Sequence, residues 1–160
     1  MVDVCIVSIG WSDDAELKYA HLAIVATEFQ RKHGREPILW LDKVCINQSD
    51  IARALKCLPV FVFSCKRLMI LAGNTYCDRL WCIWELYTFF STSGTRAVKR
   101  VELVDFSDTG TSTLLDFDVA NAHCFSPTDE AKLRSIIESE GASTFSKMIQ
   151  EVGAELQRVQ

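Results

Sequence analysis

The sequence predicts an α/β fold, a parallel sheet with helices on both faces, and two observations carry that prediction. Three short runs, 4–9 (VCIVSI), 38–41 (ILWL) and 68–72 (LMILA), are almost continuously apolar, as strands covered on both faces must be. The segments between them show helical capping or helical spacing and are long enough to return the chain to the same edge, so the strands run parallel. A length of 160 residues suffices to bury one core without covalent staples.

The first strand, Val4 to Ile9, should be central, and Gly10-Trp11-Ser12 ends it. Asp13 with Glu16 three residues later has capping-box spacing for a helix to about Lys32, closed by Gly34. Pro37 precedes the second strand, which ends at Asp42, and 43–49 reads as a loop. Asp50 opens a helix to Cys57, where Pro59 is expected to break or kink it; 60–65 reads better as helix than as strand. The third strand ends at Gly73-Asn74, and a tryptophan-rich helix follows. A fourth strand is expected over 98–106, near an edge because of Lys99 and Arg100. The stretch 107–113 is rich in Ser, Thr and Gly and reads as loop, whereas 114–125 gives no clear pattern. Pro127 starts a helix to about Glu140, ended by Gly141, and Phe145, Met148, Ile149, Val152 and Leu156 mark the buried stripe of a last helix.

Composition excludes several classes. A net charge of -4 with no basic run longer than a pair argues against a nucleic-acid partner. The longest apolar run, 58–63, is too short to cross a bilayer. Seven cysteines, an odd number without C-x-x-C or zinc-type spacing, read as buried reduced thiols of a cytoplasmic domain; no metal site is expected, His123-Cys124 included. Asn47-Gln48-Ser49 matches a glycosylation sequon but follows no signal peptide. Because the first strand begins almost at Met1, the chain reads as a domain of a longer parent, whose membrane attachment would lie outside it.

The stretch 74–90 (NTYCDRLWCIWELYTFF) organises the rest. On a helical projection Leu80, Ile83, Trp84, Leu86, Tyr87 and Phe90 form a broad apolar arc. Asp78, Cys82, Glu85 and Thr88 share a narrow polar one with Trp81 and Phe89. Glu85 then lies either on a wet face or in a cleft, and the two aromatic residues beside it are unusual for a wet face. About seven residues at 1.5 Å put Asp78 and Glu85 roughly 10 Å apart along the helix, so they are not a close acid/base pair; Asp78 fits an N-cap.

In a sheet of this kind ligands collect beyond the carboxyl ends of the strands, where strand order reverses. The segments meeting there carry Trp11, Asp13, Asp42, Lys43, Asn47, Tyr76 and Asp78, a polar and aromatic set suited to a ribosyl or nucleotide ligand, although loop ends are polar in any case. No G-x-G-x-x-G, Walker A or G-x-S-x-G element is present, and His21 and His33 fall on or just after the first helix. What remains is a carboxylate among aromatic residues, an arrangement that suits glycosidic cleavage through a cationic centre.

The segments Ser8-Ile9-Gly10-Trp11-Ser12-Asp13, Trp40-Leu41-Asp42 and Tyr76-Cys77-Asp78-Arg79-Leu80-Trp81-Cys82-Ile83-Trp84-Glu85-Leu86 resemble the Toll/interleukin-1 receptor (TIR) superfamily, in the form found in plant, algal and oomycete proteins. Leu39 to Gln48 is also similar to the W-x-D-x-x-C-I-N-Q box of fungal heterokaryon-incompatibility domains. The resemblance covers 2–106, with 107–160 as a helical completion of a single 1–160 domain. It implies a flavodoxin-like three-layer sandwich with a sheet of about four to five strands. It also implies cleavage of NAD+ to nicotinamide and ADP-ribose or a cyclic product, in signalling or defence, with NAD+ as substrate and no other cofactor. Glu85 matches the family's catalytic glutamate. Ser8, Trp11, Asp13, Asp42, Lys43, Tyr76, Asp78, Trp81 and Cys82 would border the substrate, with Trp11 or Trp81 stacking on a base. The 43–49 loop would gate the site, and self-association or pairing with other TIR-like domains would complete it. The chain departs from plant members in lacking an arginine after the first strand, and Arg79 fits either a solvent cap or a pyrophosphate ligand. The alternative implied by the same family is a non-catalytic scaffold that only assembles with like domains.

Overall fold

In the computed structural model, residues 4–10, 13–47, 50–106 and 112–159 are described. Four strands, β1 (Val4–Ile9), β2 (Ile38–Trp40), β3 (Arg67–Ala72) and β4 (Val101–Asp105), form one sheet in the order β2-β1-β3-β4, every pairing parallel. β1 is therefore central and β4 an edge strand, as expected. β1 connects to β2 on one side and β2 to β3 across to the other, so the strand order reverses at the carboxyl ends of β1 and β3.

Alternation along the strands divides the core in two. Val7, Ile9, Met69 and Leu71 face α1 (Ala15–His33), whose Leu22 and Val25 cover them. Ile6, Trp40, Leu68 and Ile70 face the opposite way, into a larger cluster with α3 (Ile51–Ser64), α4 (Leu80–Ser93), α6 (Pro127–Glu140) and α7 (Ala142–Val159). Helices thus lie on both faces. Ser8, two positions from Ile6, shares the face that α4 covers.

Several boundaries differ from the sequence reading. Asp14, not Asp13, caps α1, its Oδ1 accepting from Glu16 N at 2.8 Å and Leu17 N at 3.0 Å. Gly34 does close that helix, at φ 67° in the left-handed region, with its N–H returned to the Gln30 carbonyl. The 43–49 loop is interrupted by a short helix, α2 (Asp42–Cys45); Gln48 and Ser49 lie outside the described residues. Pro59 breaks nothing: α3 runs through it, because Leu55, Leu58 and Val62 anchor both sides of the proline in the core, and this burial outweighs one lost backbone bond. Asp78 is not the N-cap of α4; Arg79 holds that position without a side-chain cap. Residues 95–100 form a 3-10 turn, so β4 starts three residues later than expected.

The stretch 114–125, which carried no pattern, consists of the end of α5 (Ser112–Leu115), a 3-10 turn over Val119–Asn121 and a crossing segment. His123 N donates to the Asp78 carbonyl at 2.8 Å, and Leu80 N donates back to the His123 carbonyl at 3.0 Å, so this segment is stitched to the approach to α4. Residues 107–111 lie outside the described residues. Only Cys65 and Cys82 of the seven cysteines are fully buried, and Cys45 is exposed, so the reading of all seven as buried thiols does not hold. No helix among the described residues is long and apolar enough to cross a membrane.

Candidate active site

α4 is apolar around nearly its whole circumference because nearly its whole circumference is covered: Leu80, Cys82, Ile83, Trp84, Glu85, Leu86, Thr88, Phe89 and Phe90 are all buried. Trp84 packs as core in a triangle with Tyr87 and Phe145, at ring-centroid distances of 5.6 and 6.2 Å, the latter two being 4.5 Å apart. The wet-face reading of Glu85 is thereby overturned, since its side chain is 1% exposed. A buried carboxyl needs a partner. It finds one in Ser8, whose Oγ donates to Glu85 Oε2 at 2.7 Å from the last turn of β1 toward α4. Ser8 Oγ also lies 3.0 Å from the Tyr76 hydroxyl. Ser8 has one proton and gives it to the carboxylate, so Tyr76 is the donor in the second bond. Cys82, one helical turn before Glu85, donates its thiol to the Ile9 carbonyl at 3.3 Å and fastens the helix to the strand end. The other carboxyl oxygen, Oε1, is buried and has no hydrogen-bond partner among the described residues.

Burial drives the Glu85 carboxyl well above the ordinary carboxylate range, and the charge of Asp42 at the carboxyl end of β2 adds to the rise; the Ser8 bond opposes both. Burial likewise pushes the Cys82 thiol up, helped by the Glu85 and Asp42 charges, so Cys82 is a thiol and not a nucleophile. Tyr76, buried beside them, is also pushed up, mainly by loss of water.

Asp13 performs a different task from the one expected of it. Its Oδ1 accepts from Thr75 N at 3.1 Å and Thr75 Oγ1 at 2.8 Å, tying the segment after β1 to the segment after β3 across the reversal point. Both neighbouring strand ends carry glycine where the carboxylate passes: a Cβ on Gly10 or Gly73 would overlap Asp13 side-chain atoms. Lys18 was missed in the sequence. It is buried on α1, donates from Nζ to the Gly10 carbonyl, and is lowered in pKa by loss of water against the pull of Asp13 and Asp14. The available signal was position: 18, 22, 25 and 29 form the inward stripe of α1, and a lysine among Leu22, Val25 and Phe29 is out of place unless its amine has an acceptor.

Of the residues expected at the site, Ser8, Tyr76, Cys82 and Glu85 are directly linked, Asp42 acts on Glu85 through its charge, and Asp13 braces the adjoining segments. Lys43 is exposed and donates its backbone N–H to Asp42 Oδ1 at 2.6 Å. Asp78 is exposed, its carbonyl engaged with His123. Trp81 is half-buried against the larger core cluster with its Nε1 unpartnered among the described residues. Trp11 lies outside the described residues. No group of three or more metal-ligating side chains occurs among the described residues.

A parallel sheet in this strand order with helices on both faces is an α/β, flavodoxin-like arrangement. The similarity is to the TIR domains in the structure of the activated Roq1 resistosome directly recognizing the pathogen effector XopQ, with a TM-score of 0.52 over 95% of this chain and 84% of that one at 10% identity. Similarity at that identity concerns the fold. No family model matches the chain, its heterokaryon-incompatibility-like box included, and no curated protein matches it.

Proposed function

We propose that the chain is a TIR-type NAD+ nucleosidase acting in signalling or defence, with Glu85 as its catalytic group. The observation that carries this reading is one carboxyl at the point where strand order reverses, with Oε2 held by Ser8 and Oε1 left without a partner among the described residues. In the reaction the bond between ribose C1′ and the nicotinamide nitrogen breaks, and its electron pair leaves with nicotinamide. Positive charge develops on C1′ and the ring oxygen. The Glu85 carboxylate stabilises that charge and accepts a hydrogen bond from a ribose hydroxyl through Oε1. Water then adds to C1′ and loses a proton, giving ADP-ribose; attack by a group of the same molecule would give a cyclic product instead. Ser8, backed by Tyr76, favours the ionised form that this chemistry needs. Asp42 adds negative potential, while Trp81 offers a stacking surface.

Because Glu85 is covered, catalysis requires that substrate binding or assembly uncover Oε1. Self-association is proposed for this step on the analogy of the resistosome neighbour. A second reading, an assembly scaffold without turnover, is favoured by the same burial, since a carboxyl pushed toward its neutral form also serves as a structural hydrogen-bond acceptor. Concentrated protein incubated with NAD+ separates the two. Release of nicotinamide by the wild type, lowered by about 100-fold or more in Glu85→Ala, supports the enzyme. Equal release from both, or none from either under conditions that drive assembly, supports the scaffold.

A further inference from the structure

At the end of the sheet opposite Glu85, two basic pairs meet. Arg67 opens β3 and Val101 opens β4, and the register Leu68↔Val101 places Lys66-Arg67 and Lys99-Arg100 side by side at the amino ends of neighbouring parallel strands. These four residues, with Val101 and Glu102, line a hollow of about 600 Å³. With Lys66 engaged by a partner of its own, the three cations Arg67, Lys99 and Arg100 against the one carboxylate of Glu102 give a formal local charge of +2 in a chain whose net charge is -4. Like charges on adjacent strands repel, and such a grouping is destabilising unless something answers it.

Among the described residues little answers Arg67, Lys99 and Arg100. Arg67 and Lys99 form no salt bridge among the described residues. Arg100 is held by the backbone instead: its Nε donates to the Lys66 carbonyl at 2.7 Å, Nη2 to the Cys65 carbonyl at 2.8 Å and Nη1 to Ser93 Oγ at 3.3 Å, with the guanidinium 5.0 Å from the Phe89 ring centroid. These bonds fix the position of the guanidinium and leave its charge unopposed. One wall of the hollow is thus held in place and positive, and Arg67 and Lys99 rim the rest.

We propose that this hollow binds a cluster of phosphates, a di- or triphosphate group that is either free or carried on a lipid headgroup. A fixed arginine flanked by two further cations suits several oxyanions spread over adjoining phosphates, and a charge of +2 matches an anion of more than one negative charge. A single carboxylate or monophosphate would leave most of the repulsion in place. The site is independent of the proposed NAD+ chemistry, lying at the other end of the strands.

The test is calorimetric titration of the whole chain with tripolyphosphate, beside inorganic phosphate. Arg67→Ala/Lys99→Ala is run in parallel; it removes two rim cations and leaves the bonds of Arg100 intact. The expected result is saturable binding of tripolyphosphate, at least about tenfold tighter than phosphate, weakened about tenfold or more in the double variant with a shallower salt dependence. Wild-type Tm should rise with tripolyphosphate, and the unliganded double variant should melt no lower than the unliganded wild type. Cosedimentation with phosphatidylcholine vesicles containing a phosphatidylinositol bisphosphate, but not with phosphatidylcholine alone, assigns the phosphates to a lipid; tripolyphosphate binding without cosedimentation assigns them to a soluble anion. Absence of saturable binding to either probe, or equal affinity of wild type and double variant, overturns the proposal.

Discussion

Glu85 is opposed by its surroundings before any ligand arrives. Its carboxyl binds a proton more tightly in the folded protein than in the unfolded chain, because burial and Asp42 raise its pKa. Above the ordinary carboxyl value the folded state therefore holds a proton that the unfolded state has released, and stability falls as pH rises until the raised folded value is passed. Glu85→Gln keeps the shape and an acceptor for Ser8 without the charge. It should be more stable than the wild type by a margin that opens near pH 4.5 and widens upward, at up to about 1.4 kcal/mol per pH unit. Urea unfolding of both proteins at several pH values checks this; a margin independent of pH contradicts it. Ser8→Ala should cost about 1–3 kcal/mol and push the Glu85 carboxyl further up, since it removes the Ser8 bond to a buried carboxyl oxygen, which opposes the rise. At this scale the sequence singled out residues but not how they connect. Ser8, Tyr76 and Glu85 each stood out, yet the bonds joining them span 68 and 77 positions, a separation at which periodicity carries no information.

The elements place these residues by small offsets. One position separates Asp14, which caps α1, from Asp13, which bridges to Thr75, and both carry the residue type that capping favours. The capping box was therefore legible and its register was not. Asp14→Ala should lower stability by about 0.5–2 kcal/mol through α1. Asp13→Ala should cost about 1–3 kcal/mol through the bridge to Thr75. Gly73→Ala should be destabilising because its new methyl would meet Asp13, and most of that cost should vanish when Asp13 is already alanine. Additive losses in the double-mutant cycle would show that the carboxylate does not occupy the notch between the two strand ends. The helical projection of α4 left its narrow polar arc open between water and cleft for a related reason: Cys82 and Glu85 meet the end of β1 through the Ile9 carbonyl and Ser8, Thr88 bonds the Trp84 carbonyl, and Asp78 is exposed.

Across the molecule, the C-terminal third secures the ground on which α4 stands. Glu130 on α6 accepts from Cys124 N at 3.0 Å, from Arg134 Nε at 2.8 Å and from the His123 ring at 3.0 Å, and Arg134 reaches on to the Val119 and Ala122 carbonyls. The backbone bond from Cys124, then Arg134 and His123, hold the Glu130 carboxyl down at about 2. The unfolded chain takes up this proton first, so stability from Glu130 is present above the ordinary value and drains away as pH falls from about 4.5 to about 2. Glu130→Gln should lose stability at neutral pH and converge on the wild type in acid, as followed by thermal melting at pH steps; a gap that stays constant in acid contradicts it. The parallel sheet, its central first strand and the two-sided helical cover were readable from the three apolar runs and their spacing, whereas the 114–125 crossing, held by backbone bonds to Asp78 and Leu80, offered no pattern to read. The account as a whole turns on whether a carboxyl made reluctant to ionise does the chemistry, and the pH dependence of nicotinamide release from NAD+ asks this directly. The account predicts release that rises with pH to a plateau, with its half-point above the ordinary carboxyl range and higher still in Ser8→Ala; release by Glu85→Gln at the wild-type rate, or a profile indifferent to pH in both active proteins, would contradict it.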